Sequence, residues 1–282
     1  MLSCWVRSTL VAVLDEPIAL DGKVVRGART QEQSAPHLLS FRTHHSQETL
    51  FQTRVDDKTN EIPVAQRVLP TIVQPGRIST ADALHTQVNW MQVVHDHNAF
   101  TVLTVKGNQP TLLQDLCTYF ADSHAHCIVA ETCDRRRGRV EHRSIRVSSE
   151  TNAYLNPSWP HIRQVAELTR IVTSKTGETI EIVYLIPDLS AASASPMRLL
   201  EVIRGHWSIE NGSHSVRDVT FCEDRSHVRT ATAPQIWATF RNLTITLLHR
   251  TGTSQIAATR RLFSHHPVLA FRCFFQRRFP QQ

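Results

Sequence analysis

The stretch HWSIENGSHSVRDVTFCEDR, residues 206–225, puts an acid where a core should be. Leu199, Ile203, Trp207 and Glu210 recur at helical spacing, so the stripe that would face a core carries a carboxylate beside aliphatic and indole side chains. A buried carboxylate needs a partner or a chemical role. On local sequence the partner would be Arg204 or Arg217, and the stretch reads as an amphipathic helix running into a strand.

The chain has 282 residues, 41% of them hydrophobic, enough for one large domain with an insertion or for two domains. No run approaches the roughly 20 apolar residues that span a bilayer. The run from Leu10 to Leu14 is short and is followed by Asp15 and Glu16, unlike a signal peptide. Cys4, Cys117, Cys127, Cys133, Cys222 and Cys273 form no CxxC pair, which suits reduced thiols in a cytosol. A soluble, cytoplasmic protein with no membrane partner is therefore expected. The densest group of soft ligands, His124, His126, Cys127 and Cys133, matches no trusted zinc spacing. Lys and Arg number 31 against 25 acids, for a formal net charge of +6. That balance favours a polyanionic partner, although a basic protein without nucleic acid shares it.

PIALDGKVVR, residues 17–26, reads as a strand with Asp21 at its end, or as a hairpin turning on Asp21-Gly22. In TIVQPGRISTADAL a Pro-Gly turn separates two apolar segments, and Asp82 follows the second; it also reads as a helix cap. Helical periodicity runs from Ala83 to His97, FTVLTVK returns to strand, and Pro110 opens a helix whose apolar face is Leu112, Leu113, Leu116, Tyr119 and Phe120. From Cys127 to Ile186 the residues alternate apolar and polar, as half-buried antiparallel strands do. Within that β-rich insertion Arg135, Arg136, Arg137 and Arg139 gather at a Gly138 turn, either against phosphates or simply in water. QIWATFRNLTITLLHR is a further helix, and a basic, frayed tail ends the chain.

Asp21, Asp82 and Glu210 lie far apart in sequence, so only tertiary folding brings them together. Phosphodiester chemistry gives a reason to group them: two divalent cations about 3.5–4 Å apart serve the attacking and the leaving oxygens. Hard cations such as Mg²⁺ take carboxylate oxygens and water.

ALDGKVVRGAR, VDDKTNEI, TADALHTQ, VKGNQPTLLQDL, RRRGRVEHRSIRV and RGHWSIENGSHSVRDVTFCEDR resemble, in this order, successive blocks of bacterial insertion-sequence transposases of the H-repeat-associated type. The resemblance runs from about Ile18 to about His249. It implies a DDE transposase with an α/β, ribonuclease-H-like fold: a mixed sheet flanked by helices, with the β-rich insertion before the helix of the third acid. Residues 1–126 are then the first part of the core and 127–195 the insertion. The catalytic helix and end of the core occupy 196–250, and 251–282 form the basic tail.

Carried over by motif, the resemblance implies that Asp21, Asp82 and Glu210 are the catalytic and metal-binding acids, with Mg²⁺ as cofactor and Mn²⁺ as substitute. The activity implied is cleavage of element ends and strand transfer into target DNA. The partner is DNA, element ends and target alike, and a homodimer is expected on DNA. His206, Glu210, His214 and Arg217 share a helical face, and His206 and Arg217 stand where relatives carry phosphate-binding cations. Lys23, Arg26 and Lys106 read as further phosphate contacts. Asn108 and Gln109 read as groups that orient DNA or support a strand end. Asp218, Glu223 and Asp224 are expected to pair with Arg225 and Arg229.

The sequence also departs from the family pattern. The chain begins about 20 residues before the first motif, where relatives carry a longer helical region, which raises a truncated or mis-started frame. Ser213 and Ser215 stand where an aliphatic and an aromatic residue are expected, and Gly212 costs about 1 kcal/mol against Ala in a helix. A catalytically defective remnant that still binds DNA is thus the alternative, and a nuclease that cuts without joining is a third reading.

Overall fold

The computed structural model describes residues 16–32, 34–55, 60–136, 138–209, 214–253 and 255–275. Glu210, Gly212, Ser213 and Arg137 lie outside the described residues, as do residues 1–15 and the basic end from 276 to 282. The first elements are β1 (Ile18–Val24), β2 (His37–Thr43), β3 (Thr49–Val55), α1 (Glu61–Val68), β4 (Ile78–Ala81), α2 (Val88–Asp96), β5 (Phe100–Val105) and α3 (Pro110–Ala121). They are followed by β6 (Ile128–Arg136), β7 (Arg139–Ser148), the short α4 (Asn152–Leu155), β8 (Val165–Ser174), β9 (Gly177–Pro187) and α5 (Pro196–Ile209). Three helices come last: α6 (Ala233–Arg250), α7 (Ile256–His265) and α8 (Pro267–Phe275). The chain divides into two compact units, Met1–Val64 with Trp207–Gln282, and Ala65–His206.

In the first unit β2 pairs antiparallel with β1 on one side and β3 on the other. The Asp21-Gly22 step does not turn. Asp21 sits opposite Ser40 and Gly22 opposite Leu39, in mid-strand, which corrects both the hairpin and the strand-end readings. Ile18, Ala19 and Leu20 are fully buried, so continuing the ladder keeps an apolar strand and its backbone bonds in place. At position 22 an added Cβ would lie 2.6 Å from His37 Nε2 and 2.9 Å from Glu61 Oε2, so both side chains would have to shift to admit it. Those two side chains hold each other at 3.0 Å, and the Glu61 carboxylate raises the His37 imidazole above its ordinary value.

Helix α6 lies against β3. Gln52 Nε2 donates to Thr239 Oγ1 at 3.1 Å, and the Thr49 amide donates to Thr246 Oγ1 at 3.2 Å. Ala238 joins Val25, Ala28 and Leu38 in one apolar cluster. Further along, Ile245 and Leu248 pack with Ile256 of α7, and Val216, Phe221 and Phe263 cover them.

The second unit carries a mixed sheet in the order β4-β5-β9-β8-β7-β6, with β4 and β5 parallel and every later pair antiparallel. The α/β organisation with a mixed sheet is therefore present, and so is the β-rich stretch before α5. Parallel strands need a crossover, and α2 supplies it. Its Trp90 is buried and donates from Nε1 to Thr101 Oγ1 at 3.2 Å. Pro110 begins α3, where its missing N–H costs nothing, and Leu112, Leu116 and Phe120 face inward. At the β6–β7 turn Gly138 has a φ of +75°, a conformation that favours glycine.

Asp188, just past β9, is buried, and its Oδ1 accepts the Thr101 amide at 2.6 Å. Desolvation pushes its carboxyl up to about 7 from an ordinary 3.8. The native state thus keeps a proton that the unfolded chain releases, and stability falls as pH rises from about 4 to about 7. At ~1.4 kcal/mol per pH unit, that window corresponds to roughly 4 kcal/mol at most. Asp188→Asn keeps the acceptor and removes the charge. Its urea midpoint is expected to exceed that of the parent at pH 8 and to match it near pH 4.

Candidate active site

Asp21 stands on β1 of the first unit and Asp82 follows β4 of the second; Glu210 lies outside the described residues. Among the described residues, no group of three or more His, Cys, Asp or Glu side chains is arranged to hold a metal.

Asp21 Oδ1 accepts the Gly22 amide at 2.7 Å, which fixes its rotamer on the strand. Its Oδ2 lies 3.5 Å from His214 Nδ1. That is long for a hydrogen bond, and the imidazole is neutral: burial first, then the charges of Lys23, Arg217 and Arg42, push it down to about 3.

Asp82 caps the 3-10 turn Ala83–His85, accepting the Ala83 amide on Oδ1 at 2.7 Å, as the cap reading of this residue anticipated. The cap does not hide the acid, whose side chain is 60% exposed with Lys106 Nζ at 3.7 Å. Asn108 is exposed and Gln109 half-buried, and the fold engages the side-chain amide of each. Asn108 Nδ2 donates to Ala83 O at 2.6 Å and Gln109 Nε2 to Thr86 O at 2.8 Å, so both brace the loop that carries Asp82.

The cations are sorted differently from the sequence reading. Lys106 and Arg26 are exposed; the Arg26 amide donates to Asp224 Oδ1 at 3.2 Å and its carbonyl accepts the Arg29 amide at 3.2 Å. Lys23 is buried and donates to Asp218 Oδ2 at 2.6 Å. Arg217 is 1% exposed; its Nε and Nη2 lie 2.8 and 2.7 Å from Glu223 Oε2. Glu223, 0% exposed, receives Arg241 Nη1 on its other oxygen at 3.1 Å. Lys23 and Arg217 are thus structural ion-pair members, and this corrects their reading as phosphate contacts. The pairing of Asp218, Glu223 and Asp224 with Arg225 and Arg229 is corrected too: their partners are Lys23, Arg217 with Arg241, and the Arg26 amide. Arg229 donates to Gly27 O at 3.2 Å.

His206 also takes another part. Its Nδ1 lies 3.0 Å from Thr80 Oγ1, two residues before Asp82. Burial, aided by Lys106 and His85, pushes the imidazole down to about 4, so at neutral pH it carries no charge for a phosphate. It ties α5 to β4 instead. Arg204, two residues earlier, donates to Asp134 Oδ2 at 2.8 Å and fastens the same helix to β6. Beyond the undescribed residues the chain does not enter a strand: Val216–Thr220 is a π-helical turn, a form that recurs at functional sites.

Thr80 and Arg241 went unnoticed as contributors in the sequence, and Glu223 was given other partners. The one available signal was the stripe through His206, His214 and Arg217, which marked the right face but not what covers it.

Residues 14–247 match the family described as the transposase DDE domain. A relative from Escherichia coli O157:H7 named "Putative transposase YncI" is 26% identical over 257 residues, covering 86% of this chain and 64% of its own length. The "H repeat-associated putative transposase YhhI" of Escherichia coli K12 is 26% identical over 262 residues, covering 86% of this chain and 67% of itself. The chain thus spans about two thirds of the length of these relatives. A cryo-EM structure of a piggyBac transposase synaptic complex with hairpin DNA is similar over 89% of this chain and 48% of its own, at 11% identity and a TM-score of 0.43.

The buried Arg217–Glu223–Arg241 group makes a test of the local fold. Glu223→Ala leaves two cations without their anion, and removing one member of a buried ion group costs about 3–5 kcal/mol. Urea denaturation is expected to show a loss of that size. A change below about 1 kcal/mol, the worth of an exposed pair, would contradict the buried assignment.

Proposed function

We propose, from the premise that this chain belongs to the transposase DDE domain family, that it cuts phosphodiester bonds at the ends of a mobile DNA element and joins the freed ends to target DNA. The observation that carries this reading is Asp82: an exposed carboxylate just past the carboxyl end of a parallel strand, where open α/β sheets build their sites. Its rotamer is set by a backbone amide, and a lysine stands beside it.

Asp21, Asp82 and Glu210 are the acids we assign to the site. The donors fit a hard divalent cation: both described acids present carboxylate oxygens, Asp82 stands open to water, and the neighbour of Asp21 is a neutral imidazole. Mg²⁺, or Mn²⁺ in its place, would supply charge stabilisation at the attacking and leaving oxygens. The remaining roles belong to the protein. Lys106 and Arg26 offer charge to DNA phosphates, while Asn108 and Gln109 hold the Asp82 loop, and His206 holds α5 to β4. Water attacks the phosphodiester and the P–O3′ bond breaks. The 3′-hydroxyl so freed attacks a phosphodiester of the target, a new P–O3′ bond forms as the target's own P–O3′ bond breaks and leaves a target 3′-hydroxyl, and no link between protein and DNA forms. Joining two ends calls for two chains on the DNA.

Nicking of supercoiled DNA by the purified chain in Mg²⁺ or Mn²⁺ tests this reading. Asp82→Asn, which keeps the acceptor for the Ala83 amide, is expected to lose about two orders of magnitude in rate while binding DNA and unfolding as the parent does. Equal cutting in EDTA would overturn the proposal. DNA binding by the parent chain with no metal-dependent cutting would favour the remnant.

A further inference from the structure

The second unit ends its antiparallel sheet in two hairpins whose tips lie side by side. Strand β7 pairs with β8 from Ser148 opposite Val165 to Val140 opposite Thr173, which brings the β6–β7 turn at Gly138 next to the β8–β9 turn at Lys175-Thr176. Gly138, Arg139, Ser174, Lys175 and Thr176 line a cleft of about 500 Å³ between them. Arg135, Arg136, Arg139 and Lys175 are all exposed at this end. The acids of the same strands are engaged away from the tips. Asp134 holds Arg143 and Arg204, Glu141 holds Arg143 and Arg170, and Glu181 holds Arg170. Glu178, the acid nearest the cleft, accepts from Thr173 Oγ1 at 3.1 Å.

We propose that the paired hairpin tips form a clamp for the backbone of duplex DNA, with Arg139 and Lys175 gripping phosphates from the two sides of the cleft. The inference rests on the DNA-acting reading above but uses none of its acids. Two cations on separate turns line one cleft; the Ser174 hydroxyl donates to Gly177 O at 3.2 Å and lies 2.9 Å from that of Thr176, whose proton can turn to a phosphate oxygen. Duplex DNA is the ligand class because the lining offers cations and hydroxyls, the groups that take backbone phosphates, and no aromatic face on which an unpaired base would stack. Arg135 and Arg136 extend the same charge along β6. The contact is non-sequence-reading: it positions DNA and adds affinity that falls with salt.

The test is fluorescence anisotropy of a short labelled duplex against the full chain in EDTA, across a series of NaCl concentrations. Arg139→Glu combined with Lys175→Glu is expected to weaken binding about tenfold or more and to make the log–log salt slope shallower by about 2, since each phosphate contact contributes about 0.9. Arg139→Gln with Lys175→Gln should lose the same slope without reversing charge. Arg67→Glu, an exposed site on α1, is the control for net charge and should leave the slope nearly unchanged. Full affinity and slope in the tip variants, or an equal loss in Arg67→Glu, would overturn the clamp and leave the active-site reading standing. A parent chain that binds no duplex at all would overturn both.

Discussion

Glu223, buried between Arg217 and Arg241, anchors the part of the first unit on which the candidate site relies. Three charged groups out of water are stable only together, so their geometry locks the segment from Val216 to Arg225. The same segment is fastened to the neighbourhood of β1. Asp218 takes Lys23, Asp224 takes the Arg26 amide, and Gly27 is pressed so close that a Cβ there would meet Ser226 O at 2.6 Å. The strand bearing Asp21 and the stretch just past Glu210 are thereby held in one network.

In the second unit the logic is similar but the means are neutral. Asp82 is placed by a short strand, a cap and two side-chain amides, and α5 is held to β4 by an uncharged histidine. The cations expected at phosphates divide into two kinds. Lys23 and Arg217 hold the fold, while Lys106, beside Asp82, and Arg26 are exposed and are the two we propose for phosphates.

Much of this was legible where local physics decides the outcome. FTVLTVK forms β5 because β-branched residues suit a buried parallel strand, and Pro110 opens α3 because a first helical turn does not need its N–H. The alternation after Cys127 became β6 to β9, with Gly138 turning at a positive φ. The Asp21-Gly22 step misled because its glycine answers to His37 and Glu61, residues distant in sequence, and not to a turn. Arg217 misled for a like reason: helical spacing showed its face, but its burial depends on Arg241 and Glu223 as well as on its own helix.

The central claim is that Asp21, Asp82 and Glu210, carried by distant parts of the chain, form one divalent-cation site. Calorimetric titration of Mn²⁺ into the chain with duplex DNA present, repeated for Asp21→Asn, Asp82→Asn and Glu210→Gln, tests it most directly. The account predicts that each substitution alone abolishes or weakens binding by at least about tenfold while the unfolding midpoint stays close to that of the parent. Mn²⁺ affinity unchanged in any one folded variant would remove that acid from the site and contradict the account.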